Sequence, residues 1–163
     1  MIYGIYESPM GPILAARDTK GIRLVNFKKD GNAFDIPNNW QHDSPAMNDV
    51  FSQLEEYFAG NRQRFDLPLA PAGTPFMKTC WDYLLSIPYG RTTTYQTIAR
   101  VLGNPNASRA VGLANARNPI HIIIPCHRVI GANGHLTGYA GGLTIKQKLL
   151  ELEGAVEFKS QIN

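Results

Sequence analysis

The segment FDLPLAPAGTP, positions 65–75, constrains the fold of this chain more than any other: three prolines and a glycine fall within it. Proline fixes φ and lacks an N–H, so neither a helix nor the interior of a sheet runs through such a stretch. The 163-residue chain is therefore read as two units that meet near Gly73, residues 1–73 and 74–163, each the size of a small domain.

Before this break the pattern is that of strands. IYGIYES (2–8), GPILAARD (11–18) and GIRLVNFKK (21–29) are rich in β-formers and are separated by short glycine-bearing turns. They predict a three-stranded antiparallel meander. A polar connection, 30–43, leads to a helix. Ser44 is placed to cap it with Pro45 at the first helical position, and Gly60 stops it. Val50, Phe51, Leu54, Tyr57 and Phe58 form its apolar stripe. Three strands on one helix make a small α+β unit.

After the break the period becomes helical. Thr74-Pro75 opens a helix with Phe76, Cys80, Trp81, Leu84 and Leu85 on one face, ending before Pro88. A second helix spans 94–102 and stops at Gly103, a tight Asn104-Pro105-Asn106 turn follows, and a third helix spans 107–117. Two short helices joined by a glycine-containing turn form a helix-turn-helix pattern. The apolar run IHIIIPCHRVI (120–130), a glycine-rich loop (131–142) and a last helix (143–153) before Gly154 complete the unit. His121 reads as a half-exposed strand residue in that run, and His42 and His135 as loop surface.

Charge divides the same way. Residues 1–74 carry 7 Lys+Arg and 9 Asp+Glu, net −2, and residues 75–163 carry 9 and 4, net +5. A basic second unit favours a polyanion such as nucleic acid. No apolar run reaches the roughly 18 residues of a membrane span, and the N-terminus has no signal-peptide pattern. Two cysteines, Cys80 and Cys126, make no disulfide framework. A reducing, cytoplasmic location is expected.

On a helical wheel Ala107, Ala110, Val111 and Ala114 cluster as the core face of the third helix. Opposite lie Arg109, Gly112 and Ala116, flanked by Ser108 and Asn115. A major-groove reader carries several long polar side chains, and this face has one arginine. It suits either a minor groove, with Arg109 inserted, or close packing on another helix.

The chemistry concentrates at Cys126-His127. A free thiol has a pKa near 8.5 and is mostly protonated at neutral pH, so a nucleophilic cysteine needs a base and a group orienting that base. Neighbours on an extended strand point to opposite faces. His127 could therefore reach Cys126 only across a turn at 125–127 or through a water. Glu153, at the end of the last helix, is the candidate third group, and Asn118, before Pro119, could brace the loop. The competing readings are a buried core thiol, a structural histidine and a surface glutamate. Cys80 lies on an apolar stripe and reads as core.

These residues also match a family. NPIHIIIPCHRVIG, with TTTYQTIARVLGNPNASRAVGLANARNP before it and GHLTGYAGGLTIKQKLLELEG after it, resembles the O6-alkylguanine-DNA alkyltransferases, whose Pro-Cys-His-Arg-Val hallmark stands unchanged at 125–129. The resemblance is strong over 75–154. It implies a ribonuclease-H-like α+β first domain and a winged-helix-like second domain with a helix-turn-helix. It further implies direct-reversal DNA repair, in which the alkyl group of O6-alkylguanine in duplex DNA passes once to the protein's own cysteine. O4-alkylthymine stays open as a second substrate. By motif position Cys126 is the acceptor, His127 acts on it through water, Glu153 orients His127 and Asn118 braces the turn. Tyr95 helps rotate the base out and assists protonation of the leaving guanine. Arg109 fills the vacated stack, with Thr94, Ser108, Gly112 and Ala116 also along the DNA. Val129, Tyr139 and Ala140 line the guanine pocket, with Lys146 near its mouth.

Ala140 stands where many members carry serine, and a backbone amide could serve there instead. Some relatives hold a zinc ion with N-terminal cysteines and histidines. Here residues 1–74 hold only His42 of these types, so no metal and no cofactor are expected. The expected state is a monomer, with cooperative assembly along DNA left open. A damage-binding module without chemistry and a Cys-His-Glu hydrolase are the rival functions.

Overall fold

The computed structural model describes residues 1–28 and 33–159. The chain is α+β and divides into two compact units. One holds residues 1–72 and 119–121, and the other holds 73–118 and the remainder from Ile122. Lys29, at the end of the third expected strand, and the start of the polar connection lie outside the described residues.

In the first unit β1 (Ile2–Ser8), β2 (Gly11–Asp18) and β3 (Gly21–Phe27) form the meander, and the two-residue β4 (Gln41–His42) pairs parallel with β1. The sheet order is β3-β2-β1-β4. As an inner strand, β2 buries Ile13, Leu14, Ala15 and Ala16 consecutively, on both faces. Helix α1 (Asn48–Phe58) sends Val50, Leu54 and Tyr57 into the core, and its Phe51 stacks on Tyr6 of β1 at 5.6 Å. Phe51 also closes over Gly4, where a Cβ would come within 3.0 Å of its ring.

Four expectations change here. His42 is exposed but lies in β4, not in a loop. Ser44 makes no capping bond, because a 3₁₀ turn (Pro45–Met47) precedes α1 and Asp43 Oδ1 accepts from Ala46 N at 3.2 Å. The proline-rich stretch is not a free linker: Leu69 bridges Ile22, and Ala70 N donates to Ile22 O at 2.8 Å. Further along β3, His121 N donates to Val25 O and Val25 N to Pro119 O. Both additions cover a sheet edge that would otherwise stay unpaired. His121 is consequently buried, stacked on Phe27, and not half-exposed.

The second unit is helical. Thr74 caps α2 (Pro75–Leu84), its side chain accepting from Met77 N. Thr94 caps α3 (Tyr95–Val101) in the same way through Thr97 N. Gly103, at φ +82°, ends that segment, and α4 (Ser108–Ala116) completes the helix-turn-helix. Trp81 is buried on α2 and its Nε1 donates to Ala114 O at 2.8 Å, which fixes α4 against α2. Phe76 and Leu85, expected on the α2 core face, are exposed. On α4 the expected core residue Ala110 is exposed, while Asn115 is buried. The apolar run 120–130 is mostly not a strand. After Ile120 it turns, passes through a 3₁₀ turn (Cys126–Arg128), and only Val129–Ile130 (β6) pairs, parallel with Thr93–Thr94 (β5). This short ladder sets the cysteine turn beside the start of α3. Helix α5 (Leu143–Leu152) follows, and Gly154 ends it. Among the described residues no helix is long and apolar enough to cross a membrane.

Candidate active site

The cysteine turn is built by backbone geometry. Ile122 holds φ at +70°, which a β-branched residue rarely adopts and which marks a strained position. Cys126 N donates to Ile124 O at 2.8 Å around Pro125, a γ-type turn. Asn118 Nδ2 donates to the same Ile124 carbonyl at 2.8 Å. Asn115 Nδ2 donates to Cys126 O at 3.2 Å. Two asparagines from the end of α4 and just beyond it thus hold the turn from both sides.

Within the 3₁₀ turn the side chains of Cys126, His127 and Arg128 separate. The turn needed for a direct Cys126–His127 contact exists, yet the His127 ring is spent elsewhere. Its Nε2 lies 2.7 Å from Glu153 Oε2, and both side chains are fully buried. Arg128 is buried too. It donates through Nε to Glu153 Oε1 at 2.8 Å, through Nη2 to Oε2 at 3.0 Å, and through Nη1 to Ile87 O at 2.7 Å. Its guanidinium sits 5.8 Å over the Tyr89 ring. Glu153 is therefore no surface residue.

Burial pushes the Glu153 carboxyl pKa up, but His127 and Arg128 outweigh burial and hold it well below the usual range. Burial pushes His127 down, with Glu153 partly opposing. A neutral imidazole facing an ionised carboxylate must carry its proton on Nε2, as the donor to Glu153. Nδ1 is then the basic nitrogen, and it is buried without a protein hydrogen bond. The result is an imidazole oriented by a carboxylate, which is in turn fixed by an arginine.

Cys126 is 3% exposed. Burial raises its pKa to about 11, against smaller pulls downward from Asn118 and Lys146. At pH 7 only about one thiol in ten thousand is ionised. Labelling of native protein by iodoacetamide at pH 8 should accordingly run at least roughly 100-fold slower than after unfolding in urea. Cys80, 2% exposed and also raised by burial, should stay protected alongside it. Fast labelling of Cys126 in native protein would show that the closed turn is wrong.

Lys146, expected near a pocket mouth, is wholly buried. Its Nζ donates to Val129 O at 2.6 Å and Thr137 O at 2.7 Å, and burial lowers its pKa to about 8. It clamps the glycine-rich loop to β6. Thr137 Oγ1 also donates to Tyr95 Oη at 3.0 Å, joining that loop to α3. Val129 is buried beneath, the Tyr139 hydroxyl is buried, and Ala140 is exposed. Thr94 and Tyr95 are half-buried.

Along α4, Arg109 and Ala116 are exposed and Ser108 and Gly112 half-exposed. That face is one arginine among small residues, separate from the buried cluster. The sequence reading missed Arg128, Asn115 and Thr137 as site residues. An arginine inside an apolar run implies a buried, paired charge and could have found Arg128. The sequence placed Asn115 only at the border of the α4 face, and nothing in it marked Thr137. Among the described residues no cluster of histidine, cysteine or acidic side chains is placed to hold a metal ion.

Comparison with known proteins covers nearly the whole chain. Residues 1–71 match the family described as 6-O-methylguanine DNA methyltransferase, ribonuclease-like domain, and residues 75–155 match 6-O-methylguanine DNA methyltransferase, DNA binding domain. A Methanosarcina acetivorans protein named methylated-DNA–protein-cysteine methyltransferase is 57% identical over 155 residues, spanning 95% of this chain and 99% of its own. The Methanosarcina barkeri protein of the same name is 54% identical over 153 residues, spanning 94% and 97%. The crystal structure of Mycobacterium tuberculosis OGT in complex with DNA aligns with a TM-score of 0.88 at 44% identity, over 94% of this chain and 93% of that one.

Proposed function

This chain belongs to the 6-O-methylguanine DNA methyltransferase family, and from that premise we propose how its own residues carry out direct reversal of O6-alkylguanine in DNA. The protein transfers the alkyl group to a cysteine of its own, and that cysteine is Cys126. The single observation that supports this most is the buried thiol on a braced turn beside His127, which keeps one nitrogen on an ionised Glu153 and the other uncommitted.

The small-residue face of α4 lies along the minor groove, where its backbone can approach closely and contacts fall mainly on phosphates. The O6 position cannot be reached within the stack, so the alkylated nucleotide is rotated out. Arg109 takes its place in the stack, and Tyr95 steers the base toward Cys126. Thr94, Ser108, Gly112 and Ala116 border the duplex.

His127 Nδ1 takes the thiol proton through a bridging water. The thiolate attacks the alkyl carbon in line, the sulfur–carbon bond forms and the carbon–O6 bond breaks. The guanine leaves with its charge met by a proton from the Tyr95 side. Val129, Tyr139 and the Ala140 backbone form the pocket wall, held by the Lys146 clamp. A thiol held near pKa 11 is protected until substrate arrives, and proton transfer to His127 is then part of the reaction. The product is a thioether with no carbonyl for water to attack, so each molecule acts once.

Intact mass spectrometry after incubation with duplex DNA containing O6-methylguanine tests this reading. One added methyl group per protein, mapped to Cys126 by peptide digestion, is expected, with unmodified guanine left in the DNA. DNA binding without added mass would favour a damage-recognition module. Repeated turnover of an ester would favour a hydrolase.

A further inference from the structure

Among the described residues one buried side-chain amide oxygen has no hydrogen-bond partner, and it belongs to Asn115. Asn115 is 5% exposed, in the last turn of α4. Its Nδ2 donates to Cys126 O at 3.2 Å, which settles which end of the amide is oxygen. Tyr95 packs on the same face of α4, for a Cβ placed on Gly112 would sit 3.9 Å from Tyr95 Cδ1. Burial raises the Tyr95 phenol pKa, and its polar neighbours Thr137 and Asn115 ease it back. The bare oxygen therefore lies between the acceptor turn and Tyr95, where a base delivering its alkyl carbon to Cys126 must come. A buried acceptor left bare is costly and calls for a partner.

The chemistry of the substrate limits that partner. Alkylation at O6 locks guanine in the form without an N1–H, so its 2-amino group carries the only N–H donors left on the base. O4-alkylthymine has no N–H on its base at all. We propose that Asn115 is a specificity-determining residue whose Oδ1 accepts a hydrogen bond from the 2-amino group of O6-alkylguanine. The contact favours guanine lesions over alkylated thymine. A site built to bond a substrate N–H rejects an analogue lacking it, because its own buried group stays unpaired. This inference rests on the alkyl-transfer reading above.

The test is a competition between two duplexes, one with O6-methylguanine and one with O6-methylhypoxanthine, which has hydrogen in place of the 2-amino group. With protein limiting, the product ratio reports preference, and a general loss of activity cancels. Wild-type protein should prefer the guanine lesion by on the order of tenfold or more. Asn115→Leu should lower that ratio more than about threefold. If Asn115→Leu is unfolded by circular dichroism or inert, Asn115→Ala is read in its place. A ratio within about threefold of wild type overturns the proposal, as would happen if Tyr95 alone satisfied the oxygen. Loss of all transfer in both variants also overturns it, since one bond to the base cannot carry the whole reaction. Wild-type protein that transfers from neither duplex would overturn the alkyl-transfer reading itself, a separate and recognisable result.

Discussion

Replacing Cys126 by serine should lower alkyl transfer by a factor on the order of 10³ or more, with binding to lesion DNA retained. Serine is nearly the size of cysteine, so the turn braced by Asn115 and Asn118 keeps its backbone bonds, which all run through main-chain atoms of this segment. The nucleophile changes instead. A hydroxyl is harder to ionise than a thiol and its oxygen is less polarisable, so the same imidazole produces far less attacking anion. Intact mass should show no added methyl group over times in which wild-type protein is fully modified. Gel-shift affinity for the same duplex should change little. Rapid methylation of the serine variant would move the acceptor away from residue 126.

Arg128→Met should cost about 3–5 kcal/mol of folding stability, the loss expected when one partner of a buried ion pair is removed. Glu153 would lose two guanidinium bonds, and Ile87 O would lose its donor. The carboxylate would keep His127 and a 3.4 Å contact from Gly90 N but lose its charged partner. Methionine keeps the length of the stem, so packing loss is the smaller share. Urea denaturation at neutral pH measures the difference.

The pH dependence has a definite sign. Glu153 is held below its unfolded value, near 4.3 for a free glutamate. Its contribution is therefore present above about pH 4 and is lost as pH falls further, toward the folded value. His127 is also held below its unfolded value, near 6.5, and acts in the same direction as pH falls through and below that point. Wild-type stability should decline on acidification, and the gap to Arg128→Met should narrow below about pH 4. A gap that stays constant down to pH 3 would mean that Glu153 is not held ionised by Arg128.

Much of the candidate site was legible in the motif. Cys126, His127, Glu153 and Asn118 come together at the cysteine turn, with the His127 ring committed to Glu153. The misplaced core residues share one cause. Phe76, Leu85 and Ala110 were assigned to core faces by helical angle alone, and the angle cannot say how wide the buried stripe is. Asn115 stood on the border of a face and proved buried because the cysteine turn covers it. Lys146 is buried and clamps two carbonyls, Val129 O and Thr137 O, that lie outside its own helix, a contact its motif position does not reveal.

What the sequence alone determined is local: three strands from their β-formers and turns, five helices from their apolar period and stops, and the cysteine motif itself. These depend on neighbours within a few residues, where steric and hydrogen-bonding preferences act directly. Only the tertiary structure decided the covered edge of β3, the parallel pairing of β5 with β6, and the ion cluster joining Arg128 and His127 to Glu153. Those contacts close long loops, and burial comes from groups distant in the chain. The pKa of Cys126 and the bare oxygen of Asn115 exist only once the folded chain has excluded water from both.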